Sequence, residues 1–307
     1  MIRYKKNTFF LITFCLCIGF SFAQQLPQFT QYIYNTVSIN PAYAGTREKF
    51  NITVLNRNQW VGVDGAPVTQ TFSSDTNLEE SNVGIGLSVI NDRLGFEKIT
   101  YAYADVSYTI NLNDDYRLTF GLKAGGTRYG IDSELLTDPD AIGDIFLDRT
   151  FNRWEPNFGA GIYYRSDDWF IAFSSPRIIN YAGNTNTDFL GIERVSYYLN
   201  GGYLLNLHSR VTFRPTFLVK YTNGAPASVD LTANFLINKK LWLGTSYRVG
   251  ESFGGLATFQ VTNNLKAGYS YEYNTSKIRQ FTTGSHEIFL IYEFELFRPK
   301  CNCGNKF

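Results

Sequence analysis

The chain has 307 residues, with 28 Lys+Arg against 27 Asp+Glu and a formal net charge of +1. Hydrophobic residues make up 44%, aromatic residues 17% and charged residues 18%, which excludes a disordered chain. The balanced charge, with no Lys/Arg cluster in the body of the chain, offers no basic field and excludes nucleic-acid binding. For a water-soluble enzyme the charge is low and Tyr and Phe are abundant, yet the mean hydropathy is −0.18.

The first segment has the layout of a secretory signal peptide. Arg3, Lys5 and Lys6 precede an apolar run over 9–20, and Ser21-Phe22-Ala23 offers small residues before a cut at Gln24. The apolar run is short for a bilayer-spanning helix of about 20 residues. Residues 1–23 are therefore expected to be cleaved, taking Cys15 and Cys17 with them. Neither cysteine lies in a small-residue lipobox, so lipoprotein processing is not expected.

Residues 24–49 do not alternate. Gln28-Phe29-Thr30-Gln31-Tyr32 leads into Asn40-Pro41-Ala42-Tyr43-Ala44-Gly45, where Pro and Gly mark a turn before the first strand. From residue 50 onward, alternation fills the chain. Ala102, Ala104, Val106, Tyr108, Ile110 and Leu112 share one face, opposite Tyr101, Tyr103, Asp105, Ser107, Thr109 and Asn111. A period of two marks strands with unlike faces. About fourteen such runs follow, near 50–60, 67–78, 82–91, 98–112, 116–130, 155–165, 168–176, 194–207, 210–222, 228–238, 240–249, 252–262, 264–274 and 285–297. Many reach the roughly 9–11 residues that cross a bilayer at a tilt.

The connections are sorted. Even-numbered runs end in tight polar turns such as Asn113-Asp114-Asp115, Ser166-Asp167-Asp168, His208-Ser209, Asn238-Lys239-Lys240 and Asn263-Asn264. Odd-numbered runs mostly lead into longer segments, at 131–154, 177–193, 223–227 and 275–284. Long loops on one side and short turns on the other describe an outer-membrane barrel with periplasmic turns. The expected fold is all-β: a transmembrane antiparallel barrel of about fourteen strands over 50–297, followed by a polar tail at 298–307. Apolar faces would meet lipid, and Asp105, Arg214, Lys220, Asp230, Lys266 and Glu272 would face the lumen. Tyr116, Trp169, Tyr221, Trp242 and Tyr273, near run ends, would form interfacial girdles. Fourteen strands enclose more space than their own side chains fill. Residues 24–49 are therefore expected to plug the lumen or pack at the periplasmic mouth. A soluble β-sandwich is the alternative fold.

No catalytic signature emerges: there is no Gly-x-Ser-x-Gly, P-loop or His-Glu-x-x-His. His208 falls in a turn and His286 opens the last run, both without neighbours at ligand spacing. Cys301 and Cys303 supply too few ligands for a closed metal site. Gly84, Gly86, Gly254 and Gly255 lie inside strand patterns, where glycine suggests bulges or bends. The segment 131–154 carries Asp132, Glu134, Asp138, Asp140, Asp144 and Asp148, so calcium is conceivable, although the spacing is not that of an EF-hand. Its apolar residues, Leu135, Leu136, Ile142, Ile145, Phe146 and Leu147, suggest a lid or a partner contact in an outer loop.

Several blocks resemble one family. Gln28-Phe29-Thr30-Gln31-Tyr32, Asn40-Pro41-Ala42-Tyr43-Ala44-Gly45 and Arg57-Asn58-Gln59-Trp60-Val61-Gly62 are similar to the PorP/SprF proteins. Gly65-Ala66-Pro67, Thr69-Gln70-Thr71, Gly84-Ile85-Gly86 and Ser285-His286-Glu287-Ile288 agree, whereas the Cys-x-Cys tail does not belong to the pattern. The resemblance implies a non-enzymatic outer-membrane barrel of the type IX secretion system, exported by its signal peptide. Its implied partners are other components of that system and a large surface adhesin bearing a type B C-terminal sorting domain, used in gliding or attachment. Asn40, Pro41, Ala42, Tyr43, Gly45, Arg57, Asn58, Gln59 and Trp60 become candidates for partner or plug contacts. Leu135, Leu136, Ile145 and Phe146 become candidates for outer-loop contacts. A porin or hydrophobic-solute channel, and a soluble glycan-binding β-protein, remain alternative functions.

Overall fold

The computed structural model describes residues 27–47, 49–78, 81–132, 153–179 and 194–295. The expected signal peptide, the candidates Leu135, Leu136, Ile145 and Phe146, most of the acidic stretch 131–154, and the Cys301/Cys303 tail lie outside them.

Fifteen strand segments follow in chain order: β1 (Phe50–Asn58), β2 (Val68–Asn77), β3 (Val83–Leu94), β4 (Glu97–Asn111), β5 (Arg117–Ile131), β6 (Arg153–Arg165), β7 (Trp169–Ser175), β8 (Ser196–Tyr203), β9 (Leu205–His208), β10 (Val211–Thr222), β11 (Ser228–Ile237), β12 (Leu241–Arg248), β13 (Ser252–Gln260), β14 (Leu265–Asn274) and β15 (Ser285–Phe294). Both β8 and β9 pair with β10, with a register shift at Val211/Thr212, so they form one stave interrupted at Leu204. The barrel thus has fourteen staves. Each neighbouring pair is antiparallel, and β1 pairs with β2 on one side and β15 on the other, which closes the ring. Closure leaves no open sheet edge, the condition for crossing a bilayer with strands.

The expected runs and the observed strands agree to within a few residues. The tight connections 112–116, 166–168, 209–210, 238–240 and 261–264 lie at one end, called here the turn end. The connections 59–67, 223–227 and 275–284 lie at the other, the loop end. Two loop-end connections are also tight, at Gly95-Phe96 and at 249–251, where Gly95 and Gly250 adopt positive φ.

The two faces separate as the alternation requires. Val106, Tyr108, Leu122, Phe158, Phe253, Ile288 and Leu290 are exposed on the outside and form an apolar coat. Asp105, Lys220, Asp230 and Glu272 are buried inside, and Arg214 and Lys266 share their inward faces. On the outer surface Tyr116 and Trp169 gather with Tyr164 near the turn end. Tyr221 stacks with Tyr197, and Tyr273 packs on Phe253, near the loop end. Trp242 departs from expectation. It shares the inward phase of Ser246 and Arg248 on β12, and the Arg214 guanidinium lies 4.0 Å over its ring. Its position near a strand end suggested a girdle, but its parity assigns it to the lumen.

The glycines also differ from expectation. Gly84 and Gly86 pair in continuous register on both sides, without a bulge. A Cβ on Gly84 would lie 2.2 Å from the Ala44 carbonyl oxygen, and one on Gly121 would lie 2.1 Å from Ala42 N. One on Gly161 would lie 2.1 Å from Asn40 Oδ1. These lumen-facing glycines let another stretch of backbone lie directly on the wall. Gly121→Val should therefore unseat that stretch or strain the wall, at about 1–3 kcal/mol or more. Gly255→Ala, where nothing stands within 4 Å, should change little. Thermal loss of the folded band on unboiled gels measures both, and equal melting of the two variants would refute the assignment.

Candidate functional site: the filled lumen

The stretch lying on the wall is residues 27–47. It contains a 3-10 turn at Tyr32–Tyr34, one helical turn at Thr36–Ile39 and a second 3-10 turn at Pro41–Tyr43. Asn40 caps the last of these, its side-chain oxygen accepting from Ala42 N at 2.9 Å, and Pro41 occupies the first turn, where no N–H is needed. These short turns cannot satisfy all their backbone groups internally, so the barrel wall supplies partners.

Following those partners traces the path. Gln28 donates to Ser228 Oγ at 3.0 Å and also to Asp230, near the loop end of β11. Thr30 N and Gln31 N donate to the two carboxylate oxygens of Glu287 at 3.1 and 2.9 Å. Midway, the Tyr32 hydroxyl pairs with Thr216 at 2.8 Å, and Lys123 donates to Val37 O at 3.1 Å. Ser174 donates to Ile39 O at 2.8 Å. Lower still, Ser107 donates to Ala44 O at 2.7 Å, Gly45 N donates to Asp75 at 3.1 Å, and Arg165 donates to Thr46 O at 3.2 Å. The segment therefore threads the whole lumen from loop end to turn end before β1 begins. Sequence reasoning placed it in the lumen or at the mouth; the structure extends it through both.

Apolar packing follows the same line. Phe29, Tyr32 and Ile39 pack with inward-facing Leu55, Tyr198, Leu218, Phe289 and Ile291. Ala42, with Tyr43 against it, packs on Tyr163 and Ala172. Full burial of each large side chain is worth about 1.5–3 kcal/mol. Such packing would leave an open channel no continuous water path along this line.

Three groups of buried or part-buried charges line the wall where the segment meets it, and Arg47 of the segment joins the last of them. At the loop end, Arg57 reaches Glu272 at 2.5 Å and Glu287 at 3.3 Å, and also donates to Thr30 Oγ1 at 2.7 Å. Arg248 extends this group, 2.7 Å from Asp230 and 3.6 Å from Glu272. In the middle, Lys123 lies 3.0 Å from Asp105. At the turn end, Arg47 stands 3.5 Å from both Asp75 and Glu293, and Lys266 lies 2.9 Å from Glu293. Burial alone would lower the pKa of Arg47, but Tyr43, Asp75 and Glu293 outweigh it and raise the value above the ordinary one.

The candidate residues thus divide by role. Asn40, Pro41 and Ala42 are buried and seat the segment on the glycine platform. Tyr43 meets Tyr163 edge-on at 5.5 Å. Gly45 is required by its conformation and its contacts, with φ at +66° and a virtual Cβ 2.5 Å from Gly84 Cα. Arg57 joins the segment to three strands. Asn58 is exposed on the outer face, and Gln59 N closes the connection 59–67 by donating to Pro67 O. Trp60, at φ 51°, donates its backbone N–H to Ser285. Sequence reasoning missed Glu287, Asp75, Lys123, Gly121 and Gly161 as plug contacts. Their signal was available as charge or glycine on lumen-phase positions. Among the described residues, no three His, Cys, Asp or Glu side chains converge to hold a metal ion. Asp132, the one described acid of the acidic stretch 131–154, pairs with Lys98 at 2.8 Å and Arg93 at 3.6 Å.

Removing Arg57 should loosen the segment at its upper end. Arg57→Met leaves Glu287 buried without its cation, at about 3–5 kcal/mol. A disulfide between Asn35→Cys and Thr71→Cys, whose side chains touch at 3.4 Å, should form readily in the parent and poorly with Arg57→Met. Equal crosslinking yields would contradict the role given to Arg57.

Among solved structures, the Acinetobacter baumannii outer membrane protein Omp33 is 9% identical, with a TM-score of 0.48 over 81% of this chain and 100% of that one. The P. putida toluene transporter TodX is 9% identical, with a TM-score of 0.48 over 86% and 95%. The KdgM porin is 9% identical, with a TM-score of 0.38 over 80% and 99%. The barrel fold rests on the closed ring itself. No curated protein matches the chain. The family model described as Type IX secretion system membrane protein PorP/SprF matches residues 21–292, nearly the whole chain, and the protein belongs to that family.

Proposed function

We propose that the protein is an exported outer-membrane barrel of the type IX secretion system that binds, anchors or helps deliver a surface protein and does not conduct solutes. The observation that carries this reading is the lumen filled by residues 27–47, which is held at the loop end by hydrogen bonds to Glu287 and Arg57 and at the turn end by the ion pairs of Arg47. A diffusion porin needs a continuous aqueous path, and packing of Phe29, Tyr32 and Ile39 against the wall works against one. The role is structural and non-enzymatic, with the loop end outward and the turns periplasmic. The partner is an adhesin with a type B C-terminal sorting domain, met together with other type IX components. Leu135, Leu136, Ile145 and Phe146 supply apolar contacts to it from the outer loop. Calcium in the stretch 131–154 would organise that loop.

Deletion of the gene should leave the adhesin trapped or shed, and affinity capture of the barrel should recover a large protein with its sorting domain. Removal of residues 135–147 should weaken that capture by tenfold or so while the folded band persists. In planar bilayers the intact barrel should show no steady conductance. Normal surface display in the deletion strain, or steady porin-like conductance of the intact barrel, would reject this reading, the latter in favour of a solute channel.

A further inference from the structure

Most buried or half-buried cations facing this lumen have a carboxylate beside them: Arg47, Arg57, Lys123, Arg248 and Lys266 are all paired. Arg165 and Arg214 are different. Neither stands within ion-pair distance of a carboxylate among the described residues; the Nε of each is buried without a hydrogen-bond partner, as it is in Arg47 and Arg57. Each is held in place by the plug. Arg165 donates to Thr46 O, and Arg214 donates to the Tyr34 hydroxyl at 3.2 Å while lying over the Trp242 ring.

Both arginines line one cavity of about 220 Å³ between the plug and the wall of β6, β7, β8 and β10, toward the turn end. Asn200 lines it too. That side chain is 2% exposed, and its Oδ1 has no partner. Its amide also carries two N–H donors that an anion in the cavity can use. The other walls mix the aromatic rings of Tyr43, Tyr163 and Phe170 with Ile33, Thr36 and Leu204. Asp167 and Asp168 also border the cavity, in the turn that follows β6, and Asp167 faces solvent and Arg117 at 3.8 Å.

A half-buried charge without a counter-charge is unfavourable, and a cleft with convergent donors and partly apolar walls is a usual form of a small-ligand pocket. Guanidinium groups match carboxylates in shape, and aromatic walls suit an apolar body. We propose that this cavity binds a carboxylate carried on a small aromatic or aliphatic body, entering from the turn end. Arg165 and Arg214 neutralise the carboxylate, Asn200 donates to it, and Tyr43 ties occupancy to the seated plug. The same chemistry is offered by a free organic acid and by the C-terminal residue of a peptide.

Titration calorimetry of the intact barrel in detergent tests the assignment. The probes are 3-phenylpropionate, its neutral amide, and a short peptide ending in Phe with a free or an amidated C-terminus. At least one acid should bind saturably, and its amide at least tenfold more weakly. Arg165→Gln with Arg214→Gln should weaken the acid at least tenfold, and Asn200→Asp, which adds a negative charge, should do the same by an independent route. Heat-shifted gel mobility identifies folded variants. Binding by 3-phenylpropionate alone identifies a free acid as the ligand, and binding by the peptide alone identifies a chain terminus. Failure of both acids to saturate at concentrations up to about 10 mM, roughly −3 kcal/mol of binding free energy, would overturn the proposal. So would unchanged binding in folded forms of both variants.

Discussion

A ring of fourteen strands is wider than its inward side chains can span, and the rest of this structure answers that constraint. The wall alone would enclose water around its own ion pairs and leave Asp75 without Arg47. Residues 27–47 fill the space instead, and the lumen chemistry is organised around them. Carboxylates from β2, β11, β14 and β15 meet cations from β1 and β12 and from the segment itself, while glycines on β3, β5 and β6 give way to its backbone. Buried ion pairs are weak sources of stability, but each member strongly disfavours the loss of its partner. Such a lumen specifies one seated arrangement more than it adds stability.

The fold was legible because its physics is local. Alternation, turn chemistry and loop sorting are read within a few residues, and they gave the strands, the closed barrel and the inward phase of Asp105 and Glu272. What was not legible depends on contacts across the chain. Arg57 could be assigned to the lumen by parity, yet its partners Glu272 and Glu287 lie more than two hundred residues away. The path of residues 27–47 was hidden because short turns leave no period to read. Trp242 was misassigned because closeness to a strand end was weighed above parity, and on β12 parity decides. Gly84, read as a bulge, is a contact surface; only the location of Ala44 in space distinguishes the two.

The family motifs take on physical meaning in this light. The block from Asn40 to Gly45 forms the foot of the plug, where a capped turn, a buried Ala and a positive-φ glycine fit the wall closely. The block from Arg57 to Trp60 forms the clasp at the opposite end, with Arg57 inside and Asn58 outside. Both blocks bracket the same object. A filled lumen also gives the barrel a rigid loop end, from which the connections project.

The plug is continuous with β1, and β15 completes the ring by pairing with β1 from Phe50↔Phe294 to Asn58↔His286. Glu287 on that last strand also grips Thr30 and Gln31. The seam of the barrel and the anchor of its contents are therefore the same strand. Loss of β15 would open the ring and release the upper end of the plug together.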